Sequence, residues 1–190
     1  MGKVRALRNL NEASIANLHY MRGDEAWRQG NMRSAFRHFF AAAEAGMEPA
    51  FQVVGQFYND GTGVRCDESK ALYWYRRASE KGNCSAANNI GCILRDRGKS
   101  GLALRWFKRA VTLGDADANL EIAKIHVERG DLIKARPYLD KTIRSSWATE
   151  QSKDEARRLL KRSGRRESKA TAAKAGVAIR QARSEFCRRL

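Results

Sequence analysis

Between residues 50 and 82, apolar side chains recur every three or four positions. Val54, Phe57 and Tyr58 make one stripe, and Leu72, Tyr75 and Ala78 make a second. This period is helical, because residues three and four apart share one face of a 3.6-residue turn. Between the stripes lies the segment NDGTGVRCD, whose glycines and aspartates mark a turn. The pattern therefore predicts two antiparallel helices joined by a loop. Asp67 stands just ahead of the second stripe, where its carboxylate can cap that helix. Gly61 and Gly63 supply the positive φ that the loop needs, and Gly82 ends the second helix. DGTG also suggests a phosphate loop, but no Lys-Ser/Thr follows it and no strand precedes it.

The same pattern returns along the chain. Ala50, Ala86 and Ala118 each open a unit. Gly55 and Gly91 follow at one fixed step, and Ala123 takes that place in the third unit. A second alanine then recurs (Ala71, Ala103, Ala135), followed by a large apolar residue (Tyr75, Phe107, Leu139) and a small one (Ala78, Ala110, Thr142). Extended backwards, Gly23, Gly30, Ala35, Phe39 and Ala42 keep the phase. Four units result, at 18–49, 50–85, 86–117 and 118–149. The small residues Gly55, Gly91, Ala71 and Ala103 fall where two helices must approach closely. The expected fold class is all-α, a right-handed α-α superhelix (solenoid) of about four helix-turn-helix repeats with one continuous core. The lead-in 1–17 is basic. Ala156, Leu159 and Leu160 predict a capping helix at 150–163, which covers the core face that a last repeat would expose. Residues 164–190 form a basic, partly helical or flexible tail.

One unit carries a specific resemblance. Ala50, Gly55, Tyr58, Gly61, Gly63, Val64, Asp67, Lys70, Ala71, Trp74, Tyr75, Ala78 and Gly82 resemble the Sel1-like repeat, a branch of the tetratricopeptide repeat superfamily. In the next unit Ile90, Gly91, Leu94, Gly98, Ala103, Phe107 and Ala110 are closer to an ordinary tetratricopeptide repeat, with an inter-helix turn four residues shorter. The third departs at Ala123, His126 and Thr142, and the first has Arg22 where the family has leucine. The resemblance covers about 18–149. It implies a non-enzymatic adaptor, often bacterial, that grips an extended peptide on a concave face lined by the first helix of each pair. On that reading the groove presents Gln52, Gln56 and Asn59, then Asn88, Asn89, Cys92 and Arg95, then Lys124 and Glu128. Asn89 falls where related repeats use an asparagine to hold a ligand's backbone. An amide suits that role because it both donates and accepts.

Charge adds a second expectation. The 190-residue chain has 37 Lys/Arg and 21 Asp/Glu, a net +16. Residues 151–190 hold 13 of the basic and 4 of the acidic residues, so the excess is concentrated in the tail. Arg180, Arg183, Arg188 and Arg189, with Arg165 and Arg166 ahead of them, could contact nucleic acid, an anionic surface or an acidic partner. The alternative function is thus a basic accessory factor acting through this tail. A solvated tail is the plain reading of the same residues.

Catalytic and metal chemistry find no support in the spacing. No GxSxG, HExxH or Walker pattern occurs. His19, His38 and His126 are scattered over the repeats without a second ligand at zinc spacing and read as ordinary helix residues. Cys66, Cys84, Cys92 and Cys187 form no CxxC pair and read as reduced thiols in a cytoplasmic protein. Cys84 and Cys92 are too far apart along a helix for a disulfide. No cofactor is expected. No apolar run approaches the roughly 18 residues of a membrane span, and the basic N-terminus lacks the apolar core of a secretory leader.

Overall fold

The computed structural model describes residues 2–162, with side chains from residue 13 onward. Its helices are α1 (Gly2–Arg28), α2 (Met32–Glu44), α3 (Glu48–Asp60), α4 (Glu68–Glu80), α5 (Cys84–Asp96), α6 (Ser100–Thr112), α7 (Ala118–Glu128) and α8 (Leu132–Arg144). A ninth, α9, covers 150–162. No strand occurs among the described residues. The fold class is the all-α helix-turn-helix repeat architecture that the periodicity predicts. No helix among the described residues is long and apolar enough to cross a membrane. The chain divides into two units, Met1–Asp115 and Ala116–Leu190.

In the first unit α1 packs on α2, α3 on α4 and α5 on α6, and successive pairs join through α2·α3 and α4·α5. The turns are short, apart from that between α3 and α4, and are capped by the residues that the sequence supplies. Asn31, Asp67 and Asn83 accept backbone N–H groups of Ser34, Lys70 and Ala86 at 3.2, 3.0 and 2.8 Å. The Lys70 N–H bond holds the Asp67 carboxyl below the ordinary carboxylate range. Gly61 and Gly63 adopt φ of 68° and 69°, as the long turn between α3 and α4 requires.

Within each pair a glycine meets an aromatic ring. A Cβ on Gly23, Gly55 or Gly91 would lie 2.9, 2.6 or 2.5 Å from Phe39, Tyr75 or Phe107 respectively. The missing side chain lets the backbone of one helix rest on a ring of its partner. All three rings are 3% exposed or less. An aromatic cluster joins the first two pairs. Phe57 lies 5.2 Å from Trp27, 5.7 Å from Phe36 and 6.0 Å from Phe39, centroid to centroid. Between the second and third pairs Arg109 of α6 donates to Ser79 Oγ at 2.8 Å and to the Ser79 carbonyl at 2.9 Å. It thereby adds a second donor to a carbonyl at the end of α4 that already accepts from the Gly82 N–H at 3.1 Å.

The first helix differs from the sequence reading in extent. α1 is continuous across residues 17 and 18, where a basic lead-in was set apart from the first repeat. The repeat phase, extended backwards, sets that boundary. The backbone ladder does not observe it, because nothing in residues 2–28 breaks a helix.

The second unit is built on Leu120, Ala123, Leu139 and Ala156, with Tyr138, Ile143, Leu159 and Leu160 packed against them. Here alanine replaces the packing glycine, and a leucine replaces the ring. Asp117 accepts from Thr149 N–H at 3.0 Å, which ties the loop before α9 to the start of α7. Pro137 sits inside α8.

Candidate functional site

The residues assigned to the groove occupy the same positions on successive first helices. Gln52, Gln56 and Asn59 stand on α3 at the steps from Gly55 that Asn88, Cys92 and Arg95 take on α5 from Gly91. Gly55 and Gly91 face the second helix of each pair, and these side chains stand along one side of that contact. Gln56 and Asn59 are exposed, and Gln52, Asn88, Cys92 and Arg95 are half-buried. Asn59 donates to Asp60 at 2.8 Å, and Arg95 Nε donates to Asp96 at 3.1 Å. The Asn88 Oδ1 is buried with no hydrogen-bond partner among the described residues. A buried amide oxygen without a donor costs about 1–3 kcal/mol.

Asn89 has a different setting. Its side chain hydrogen-bonds the Tyr75 hydroxyl, beside Asp60 and Cys92. Burial drives the Tyr75 phenol well above its ordinary value, the Asp60 charge adds to this, and the Asn89 bond opposes it. Tyr75 is also the ring on which Gly55 rests, so Asn89 of α5 satisfies the one polar atom of a core side chain from α4. Sequence spacing placed Asn89 on the correct helix but could not reveal this partner.

Lys124 and Glu128 belong to the second unit. Lys124 reaches Glu121 at 2.9 Å and Glu155 at 3.1 Å, and so links α7 to α9. Burial works against its ammonium, but the two carboxylates outweigh it and hold its pKa above the ordinary lysine value. Glu128 is exposed. Arg165, Arg166, Arg180, Arg183, Arg188 and Arg189 lie outside the described residues.

The histidine reading requires a correction. His19 of α1 and His38 of α2 meet with their Nδ1 atoms 3.1 Å apart. Their rings are 5.4 Å apart and tilted by 38°. A separation of 19 residues hid the pair, because it spans a helix-turn-helix that returns α2 alongside α1. One ring must donate and the other accept, so the bond exists only while at least one ring is neutral. Burial lowers the His38 pKa from 6.5, and the charges of His19, Arg22 and Arg37 lower it further. A base with a lowered folded value stabilises the fold above its unfolded pKa and loses that contribution as pH falls through the folded one. Resistance to urea is therefore expected to fall as pH drops below 6.5, and His38→Asn should flatten that part of the profile. Parallel profiles for the two proteins would exclude the pair as the cause. His126 instead stacks on Tyr138 at 6.0 Å. No group of three metal-ligating side chains occurs among the described residues. Cys66, Cys84 and Cys92 form no disulfide.

Comparison with known proteins gives three findings. The Sel1 repeat family profile matches residues 13–47, 53–83 and 86–115. Solved structures that resemble the chain include a Sel1 repeat protein from Oxalobacter formigenes, at 26% identity and a TM-score of 0.56, covering 66% of this chain and 55% of that one. A second is a protective antigen of uropathogenic Escherichia coli displaying an SLR fold, at 28% identity and a TM-score of 0.59, covering 72% of this chain and 32% of that one. MamA shares the fold at 19% identity and a TM-score of 0.56, over 83% of this chain and 94% of its own. The chain thus spans about half of the first relative and a third of the second. No match occurs among curated protein sequences.

Proposed function

We propose, from the premise that the chain belongs to the Sel1 repeat family, that it is a non-enzymatic adaptor that grips an extended segment of a partner protein along the first helices of its repeats. Sel1 repeats are protein-interaction scaffolds, and this chain has their packing glycines and turns. The observation that carries the reading is the recurrence of an amide side chain at one equivalent position, Gln52 on α3 and Asn88 on α5, with Gln56 one turn further along α3. An extended peptide presents alternating N–H and C=O groups, which amides can match because each amide offers both a donor and an acceptor. The Asn88 Oδ1 has no donor among the described residues, and a peptide N–H could supply one once the side chain turns outward. Arg95 adds a positive charge at the end of the same face.

The test compares partners captured by the wild-type chain with those captured by Gln56→Ala/Asn88→Ala/Arg95→Ala, identified by mass spectrometry. Asn89 is left intact because it supports Tyr75. The expected outcome is loss of a specific set of proteins from the triple variant but not from Tyr73→Ala, a control at an exposed aromatic of α4. Retention of the same set by the triple variant would reject the groove.

A further inference from the structure

We propose that the cleft between the α3–α4 turn and the start of α2 binds a phosphate group, at a site separate from the groove above. A cavity of about 390 Å³ is lined by Arg33 of α2 and by Gly61, Gly63, Val64 and Arg65 of the turn. That volume falls within the roughly 300–1,000 Å³ range of small-ligand sites.

The turn is held against α2. A Cβ on Gly63 would collide with the carbonyl of Met32 and lie 2.9 Å from the Arg33 nitrogen. The backbone can therefore approach this closely only as glycine. This contact keeps two arginines from separate elements beside one opening. Both are exposed, and neither forms an ion pair with any described carboxylate. The acids nearest in sequence are already engaged. Asp60 accepts from Asn59, and Asp67 caps α4 and pairs with Lys70 at 3.5 Å. The turn is anchored at its ends by Gly61 N–H to the Phe57 carbonyl and Asp67 N–H to the Tyr58 carbonyl. The amides of residues 62–65 between them have no acceptor among the described residues.

Two guanidinium groups outside any ion pair among the described residues, with the unpaired amides of the turn beside them, make a lining rich in donors. Such a lining favours an oxyanion, and the paired N–H groups of a guanidinium fork match two oxygens of a tetrahedral phosphate. Backbone N–H groups in a glycine turn add donors at no cost in side-chain ordering. The sequence lacks the lysine of a nucleotide-binding loop, so the inference is for a single phosphate rather than a nucleoside triphosphate. Its source is a free phosphate ion or a phosphorylated side chain, because both present at least three non-bridging oxygens on a tetrahedral phosphorus.

Calorimetric titration of the full chain with inorganic phosphate tests this, with chloride holding ionic strength constant. Saturable one-site binding is expected. Arg33→Gln/Arg65→Gln should weaken it at least about tenfold, the consequence of removing two charge-assisted contacts. Arg76→Gln/Arg105→Gln removes the same charge from other exposed positions and should leave binding nearly unchanged. Circular dichroism establishes that each variant is folded. Equal weakening by the two double variants would reduce the effect to net charge and overturn the site, as would the absence of saturation or equally tight binding of acetate. A second titration uses capped phosphoserine. Binding that is lost in the Arg33/Arg65 variant assigns a phosphorylated side chain, and binding of inorganic phosphate alone assigns the free ion.

Discussion

Gly91→Ala is expected to destabilise the first unit, and a second change, Phe107→Leu, to restore part of the loss. The added methyl would sit 2.5 Å from the Phe107 ring, and that ring is 0% exposed. A ring enclosed on all sides cannot swing away, so neighbouring helices must separate. Overpacking of this kind costs about 1–3 kcal/mol. Replacing a helical glycine by alanine recovers about 1 kcal/mol through backbone entropy. The steric term outweighs this gain where the neighbour is a locked ring, and a net loss of up to roughly 2 kcal/mol follows. The chain itself shows how to relieve the clash. At the matching place in the second unit Ala123 packs in one cluster with Leu139. Alanine and leucine together replace glycine and ring. Phe107→Leu alone leaves a void and is itself unfavourable. In the Gly91→Ala background the added methyl occupies part of that void. Urea unfolding of the two single variants and the double should give a favourable coupling of about 0.5–3 kcal/mol. Strict additivity would mean that the two positions do not share space.

The second large effect is expected at Phe57, which is 2% exposed and touches rings of both preceding helices. Phe57→Ala removes the meeting point of Trp27, Phe36 and Phe39. Loss of a buried phenylalanine costs about 3–5 kcal/mol, a large share of the roughly 5–15 kcal/mol that holds a domain together. Trp147, 86% exposed, is the internal contrast. Trp147→Ala is expected to shift stability by no more than about 0.5 kcal/mol, as exposed positions do. Chemical denaturation of both variants checks the pair. A larger loss at Trp147 than at Phe57 would contradict the burial argument.

The fold was legible because each repeat states its packing rule in sequence. Gly23, Gly55 and Gly91 recur at one step of the repeat, which marks a place where two helices approach closely; the structure then sets each against a ring, Phe39, Tyr75 and Phe107. Asp67 announced its cap by standing before an apolar stripe, and Gly61 and Gly63 announced a turn with positive φ. These are local rules, set by three or four neighbours. The candidate site was less legible. Gln52, Gln56 and Asn88 could be placed on the first helices by counting, yet the same count could not separate them from Asn89, whose amide turns to Tyr75. Nor could it reveal that Lys124 bridges Glu121 and Glu155.

The sequence by itself determined the element type, the repeat period, the positions of the turns and the family. Those follow from backbone sterics and from the 3.6-residue period, which act over a few residues. The tertiary structure decided which polar groups meet. His19 and His38 come together across 19 residues, Arg109 reaches Ser79 across 30, and Gly63 brings Arg65 beside Arg33. Each of these contacts depends on how one helix is turned about its axis against another. That rotation is set by the summed fit of the side chains between them, which no single stretch of the chain encodes.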